Sequence, residues 1–95
     1  MNISDVATIK TNFPDADFWI VRRGSLNSVG EPSYSFNKES IGVKVTRSDL
    51  VLPRYLYYCF LHLHISGVWK PLATGTLSLV NITTHDVKNI VLNPQ

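Results

Sequence analysis

The segment "CFLHLH" holds three side chains, Cys59, His62 and His64, that could bind a metal or form a nucleophile–base pair. A metal needs its ligands to converge. On a helix, residues two apart point roughly 200° away from each other, so His62 and His64 cannot chelate one ion there. On a strand they would share a face, but Pro53 suits a first helical turn and Gly67 suits the position just past a helix end. No second cysteine or carboxylate cluster stands at ligand spacing. Cys59 and His62 could meet at i, i+3 as thiol and base. However, Cys59 falls on an apolar stripe with Leu56, Phe60 and Leu63, where a lone cysteine packs rather than reacts. The sequence therefore predicts no catalytic residue, no metal site and, without a glycine-rich phosphate cradle, no cofactor. The histidines are expected on the helix surface or as satisfied core residues.

Polar chemistry gathers instead in two loops. Arg22–Asn27 offers Arg22, Arg23, Ser25 and Asn27 within "RRGSLN", and Trp69–Thr76 offers Trp69, Lys70, Thr74 and Thr76 within "WKPLATGT". Hydroxyls and backbone amides hold phosphates, Arg and Lys reach guanine edges, and Asn reaches adenine. Gly75 would let a backbone approach closely. The plainer alternative is that Gly, Ser and Asn are turn formers, that Trp69 packs on the core edge and that Arg22 is strand-surface charge. No acid lies between Arg22 and Gly30 or between Gly67 and Thr84. Overall, nine Lys and Arg face seven Asp and Glu for a net charge of +2. From Phe18 to Val80 seven bases face three acids, a balance of +4. This bias is weaker than that of a dedicated nucleic-acid binder, and a positive chain is no DNA mimic.

The elements that must position these loops follow from patterning. "ISDVATI" is expected to form a short helical turn capped by Ser4. "FWIVRR" and the alternating "IGVKVTR" predict strands, with a short strand near Tyr34 to Phe36. "PRYLYYCFLHLHISG" predicts the central helix, its core stripe at i, i+3, i+4 and i+7. "LSLVNI" predicts another strand, Thr84 a cap for the helix "HDVKN", and "IVL" a last strand. The expected core joins Trp19 or Ile20 with Val43, Val45, Leu56, Phe60, Leu63, Leu79 and Ile90. Without regular βαβ alternation, the class is α+β: a mixed or antiparallel twisted sheet packed on one central helix plus short helices.

Ninety-five residues, 44% hydrophobic and 11% aromatic, suit one globular domain over residues 1–95. No apolar run reaches the roughly 18–20 residues of a membrane span. The start "MNISDVATIK" has no basic region and no apolar stretch of a signal peptide. A single cysteine excludes an internal disulfide. A cytoplasmic protein of bacterial or viral type is expected, with no membrane partner; the sequons at Asn2 and Asn81 are then chance matches.

The ordered phrases "DFWIVRRGS", "IGVKVTR" with "DLVLPRYLYYCF", and "GTLSLVNITTHDVKNIVL" resemble the target recognition domain of type I restriction-modification specificity subunits. In that family a strand ends in an Arg- or Gly-containing turn, a later strand precedes a phrase like P-x-Y-L-x-x-x-L, and a Gly-Thr loop precedes a strand and I-T-x-x-D-L-x-x-I-x-I-P. Here these positions are Arg22–Ser25, Leu52–Phe60, Thr74–Thr76, and Ile82 to Leu92 with Pro94. The likeness spans roughly residues 3 to 94. It implies a non-enzymatic module that recognises duplex DNA and is partnered by a methyltransferase subunit; the few basic residues add the expectation of weak binding alone and of a second copy of itself as a partner. In the family the proline phrase leads into a spacer helix and a second recognition domain, so the expectation is a single module without them. A protein-interaction module, such as a relic recognition domain or a viral regulator bound to a restriction-modification subunit, is the alternative.

Overall fold

The computed structural model describes residues 1–76 and 78–92. A 3₁₀ turn at Ile3–Asp5 leads into β1 (Ala7–Thr11), followed by β2 (Phe18–Ile20), β3 (Arg23–Gly24), β4 (Pro32–Ser33) and β5 (Ile41–Val45). Helix α1 (Pro53–Ile65), β6 (Thr74–Gly75), β7 (Val80–Asn81) and α2 (Thr84–Lys88) complete the described chain. The class is α+β, and the strands pair antiparallel in two sheets rather than one. The larger has the order β1-β5-β2-β4, the smaller β3-β7-β6.

The larger sheet and α1 make the core. Val43 stands opposite both Ile9 and Phe18, and Ile41 opposite Ile20, so one face is continuously apolar. Leu56 and Phe60 of α1 are buried against it, with the Phe60 ring 5.4 Å from that of Phe18 in an edge-on arrangement. The other face is covered too. Gly42 pairs with Trp19, and a Cβ on Gly42 would come within 2.7 Å of the Phe13 Cβ. The missing side chain admits the 12–17 loop, and Trp19 Nε1 donates to the Phe13 carbonyl at 2.9 Å. This double cover explains why all three residues of β2 are buried. The helix boundaries agree with the sequence signals: Pro53 opens α1 and Gly67, at φ +75°, follows it.

Several expectations need correction. Thr83, not Thr84, caps α2, its hydroxyl accepting the Asp86 N–H at 3.1 Å. Only Ile3–Asp5 of "ISDVATI" forms the helical turn, and its cap position is Asn2, not Ser4, with the Asp5 carboxylate accepting the Asn2 N–H at 2.8 Å. Ala7–Thr11 is instead the edge strand β1, because the β-branched Thr8, Ile9 and Thr11 suit a pleat and Ile9 gains a buried partner in Val43. The short strand lies at Pro32–Ser33, leaving Tyr34 and Phe36 as exposed rings against Tyr57 and Trp19. Of "LSLVNI" only Val80–Asn81 is strand, and Leu77 lies outside the described residues. Leu79 is 41% exposed, not core. Its carbonyl accepts the Thr76 N–H at 3.0 Å, which places Leu79 in a tight turn. "IVL" forms one bridge, Val91 to Asn2, rather than a strand, and Pro94 lies outside the described residues. Of the other expected core positions, Trp19, Ile20, Val43, Leu56 and Phe60 are buried, while Val45, Leu63 and Ile90 pack half-buried against them.

Candidate nucleic-acid interface

The small sheet joins the two polar loops. β3 lies in the first, β6 in the second, and β7 runs between them. Register fixes which side chains share a face. Arg23, Asn81 and Thr74 form one row across the three strands, and Gly24, Val80 and Gly75 form the next. Residues directly opposite in a sheet point to the same side, and the next row points to the other. Val80 is buried and Arg23 and Thr74 are exposed, so the outward row is Arg23–Asn81–Thr74.

The inner row needs its glycines. A Cβ on Gly75, which has φ +141°, would lie 2.4 Å from the Leu79 carbonyl oxygen. One on Gly24 would lie 2.7 Å from Ser28 Oγ. At Gly75 the obstacle is backbone and φ is positive, so only glycine lets the β6–β7 hairpin close; at Gly24 it is the Ser28 hydroxyl of the same loop. The ladder continues past the strands, where Ile82 N–H donates to the Arg22 carbonyl at 2.9 Å.

Beneath the two loops sits Trp69, 1% exposed. The expectation that Trp69 contacts a ligand from its loop is therefore corrected: it is a core residue. Its ring stacks on Phe60 at 6.1 Å and packs against Gly30, whose φ is +83° and whose added Cβ would come within 1.9 Å of the indole. Trp69 thus joins the end of the first loop to the start of the second. Its Nε1 has no hydrogen-bond partner among the described residues, so the site tolerates a desolvated donor to gain this packing. Ala73 N–H donates to the Trp69 carbonyl at 2.9 Å, coiling the chain over the indole before β6 begins. His64 Nδ1 stands 3.1 Å from the Val29 carbonyl and ties α1 to the first loop.

The remaining residues fall into two groups. Some are already engaged. Arg22 donates to the Glu39 carbonyl at 2.8 Å and to its carboxylate at 3.1 Å. Ser25 Oγ stands 3.1 Å from Ser28 Oγ within a turn, and Thr76 Oγ1 lies 3.4 Å from the Leu79 carbonyl. Others keep their hydrogen-bonding capacity: Arg23, Asn27, Lys70, Thr74 and Asn81 make no side-chain hydrogen bond among the described residues, and all but the half-buried Asn81 are exposed. Asn81 is absent from the sequence-derived set. Its signal was the alternation in "VNI", where Val80 and Ile82 are buried and the amide between them must face out.

His62 and His64 diverge as helix geometry requires. His64 faces the Val29 loop, whereas His62 lines a separate groove of about 710 Å³ beside Tyr55, Tyr58, Cys59 and Val91. Among the described residues, no three His, Cys, Asp or Glu side chains stand close enough to share a metal ion. No helix there is long and apolar enough to cross a membrane.

No protein-family model matches the sequence, and no curated protein matches it. In structure the chain is similar to the S subunit of a type I restriction-modification system from M. genitalium, with a TM-score of 0.69 over 95% of this chain and 14% sequence identity. That alignment takes in 32% of the S subunit's length, and at such identity it shows that the two share a fold.

Proposed function

We propose that this protein is a non-enzymatic DNA-recognition module of the kind found in type I restriction-modification specificity subunits. One observation carries the reading: the acid-poor loops Arg22–Asn27 and Trp69–Thr76 each contribute a two-residue strand to a single sheet, with Arg23 and Thr74 in one outward row. Lys70 supplies charge for a phosphate and Arg23 supplies charge at the duplex surface, while Asn27 and Thr74 offer an unengaged amide and hydroxyl. With so few cations, one module neutralises few phosphates and binds duplex DNA near the non-specific range of about 10⁻⁴–10⁻⁶ M. Useful affinity then comes from joining a second copy or a methyltransferase subunit, which raises the effective concentration of the second contact. The fold shared with an S subunit supports this reading.

The test is duplex binding at two salt concentrations by the wild type and by the double variant Arg23→Ala with Lys70→Ala. The wild type should lose affinity steeply with salt, and the variant should bind about tenfold or more weakly at low salt while melting normally. The groove beside α1, with the exposed rings of Tyr55 and Tyr58, favours a second reading, a protein-interaction module. An intact protein with no duplex affinity at low salt would select that reading.

A further inference from the structure

We infer that Asn81 is a specificity-determining residue that reads adenine in the major groove, with Arg23 reading guanine on a neighbouring base pair. The inference rests on the DNA-recognition reading and deepens it. Asn81 occupies the central strand of the small sheet, although asparagine is depleted in strands. A residue set against its local preference needs a reason, and functional sites are where such exceptions occur. Its amide makes no hydrogen bond among the described residues, and neither do the side chains of Arg23 and Thr74 on either side, whereas Arg22, Arg47 and Thr76 are engaged. The row therefore presents a guanidinium, an amide and a hydroxyl side by side with their donors and acceptors available.

Chemistry selects the groove. The bidentate partners of an amide and a guanidinium, adenine N6 and N7 and guanine O6 and N7, are displayed in the major groove, whereas the minor groove offers a degenerate pattern. Neighbouring side chains in the row start roughly 4.8 Å apart, against about 3.4 Å between successive bases on a strand. Adjacent members of the row thus address adjacent base pairs, the longer arginine taking up the difference. Asn81 Oδ1 accepts from adenine N6 while Nδ2 donates to N7, and Arg23 donates to guanine O6 and N7. Thr74, with one short hydroxyl, serves either base or backbone.

The experiment is selection from a pool of random duplexes at low salt, followed by competition binding with the selected sequences. The wild type should enrich an A·T pair beside a G·C pair. Asn81→Val, which suits a strand better, should fold at least as stably yet lose the preference for A·T by roughly tenfold to a hundredfold. Its guanine preference and its affinity for unselected DNA should stay. Asn81→Gln should keep the adenine preference, since glutamine makes the same bidentate contact; should Asn81→Val fail to fold, Asn81→Ser takes its place with the same expected loss. A wild type that binds duplexes without base preference overturns the inference and leaves the DNA-recognition reading standing. An Asn81→Val protein with unchanged base preferences, or with equal losses on all duplexes, overturns it in the same way. A wild type that binds no duplex overturns both.

Discussion

At the scale of single residues, Trp69 and Gly30 show how a position that looks functional turns out to be packing. The indole sits where any side chain on Gly30 would lie, and the positive φ there suits glycine alone. Gly30→Ala should lower stability by about 2–4 kcal/mol, combining left-handed strain with overpacking. A loss under about 1 kcal/mol in urea unfolding would show that the indole does not rest on Gly30. The exposed pair Arg47–Asp49 makes the opposite case. The 2.8 Å hydrogen bond from Arg47 holds the Asp49 carboxyl below its ordinary range. A lowered folded-state pKa stabilises above the unfolded value near about 3.9 and loses that effect as pH falls through the folded value. Because the pair is solvated, Asp49→Asn should leave the unfolding midpoint unchanged within error at pH 7 and in acid alike.

At the scale of elements, α1 and the small sheet differ in how far local sequence marks them. The helix is marked by Pro53, Gly67 and the Leu56, Phe60 stripe, and Phe60 meets both Phe18 and Trp69. Phe60→Ala should cost about 3–5 kcal/mol in chemical denaturation. The small sheet is built of two-residue strands, and the β6–β7 pairing depends on Gly75. Gly75→Ala should open the β6–β7 hairpin. Duplex affinity should fall severalfold while near-ultraviolet signals of the core tryptophans persist. Equal loss of both signals would mean that the hairpin and core unfold together. Such short strands were missed as a sheet because two residues carry no period, and β3 and β6 read as loop from their glycines and polar neighbours.

At the scale of the whole molecule, the exposed cations divide into those engaged within the fold and those left for a partner. Arg22 and Arg47 hold carboxylates, Lys44 donates to the Asp15 carbonyl, and Lys10 and Arg54 lie over the Phe13 and Tyr58 rings; of the other cations, Arg23 and Lys70 belong to the acid-poor loops. With Lys70 on a phosphate and Arg23 on a base edge, the logarithm of affinity should fall against log salt with a slope of about 1 for the monomer, and of about 2 if both cations sit on phosphates. A second molecule on the same duplex should roughly double it. A slope near zero with measurable binding would point away from phosphate contacts altogether.

The sequence by itself determined the α+β class, the limits of the central helix, the strands around Trp19 and Val43, and the two polar loops. These follow from local patterns: caps, a 3.6-residue stripe, alternation and turn residues within a few positions of one another. Tertiary structure decided what those patterns leave open. Edge strand β1 exists because Ile9 finds Val43, 34 residues away, and Leu79 left the core because a turn claimed its carbonyl. Trp69 was ambiguous between ligand and core until Gly30 and Phe60 enclosed it. Asn81 became a candidate only when Arg23 and Thr74, from distant parts of the chain, paired on either side of it. Side chains acquire such neighbours through burial and hydrogen bonding between remote segments, and no window along the sequence contains both partners.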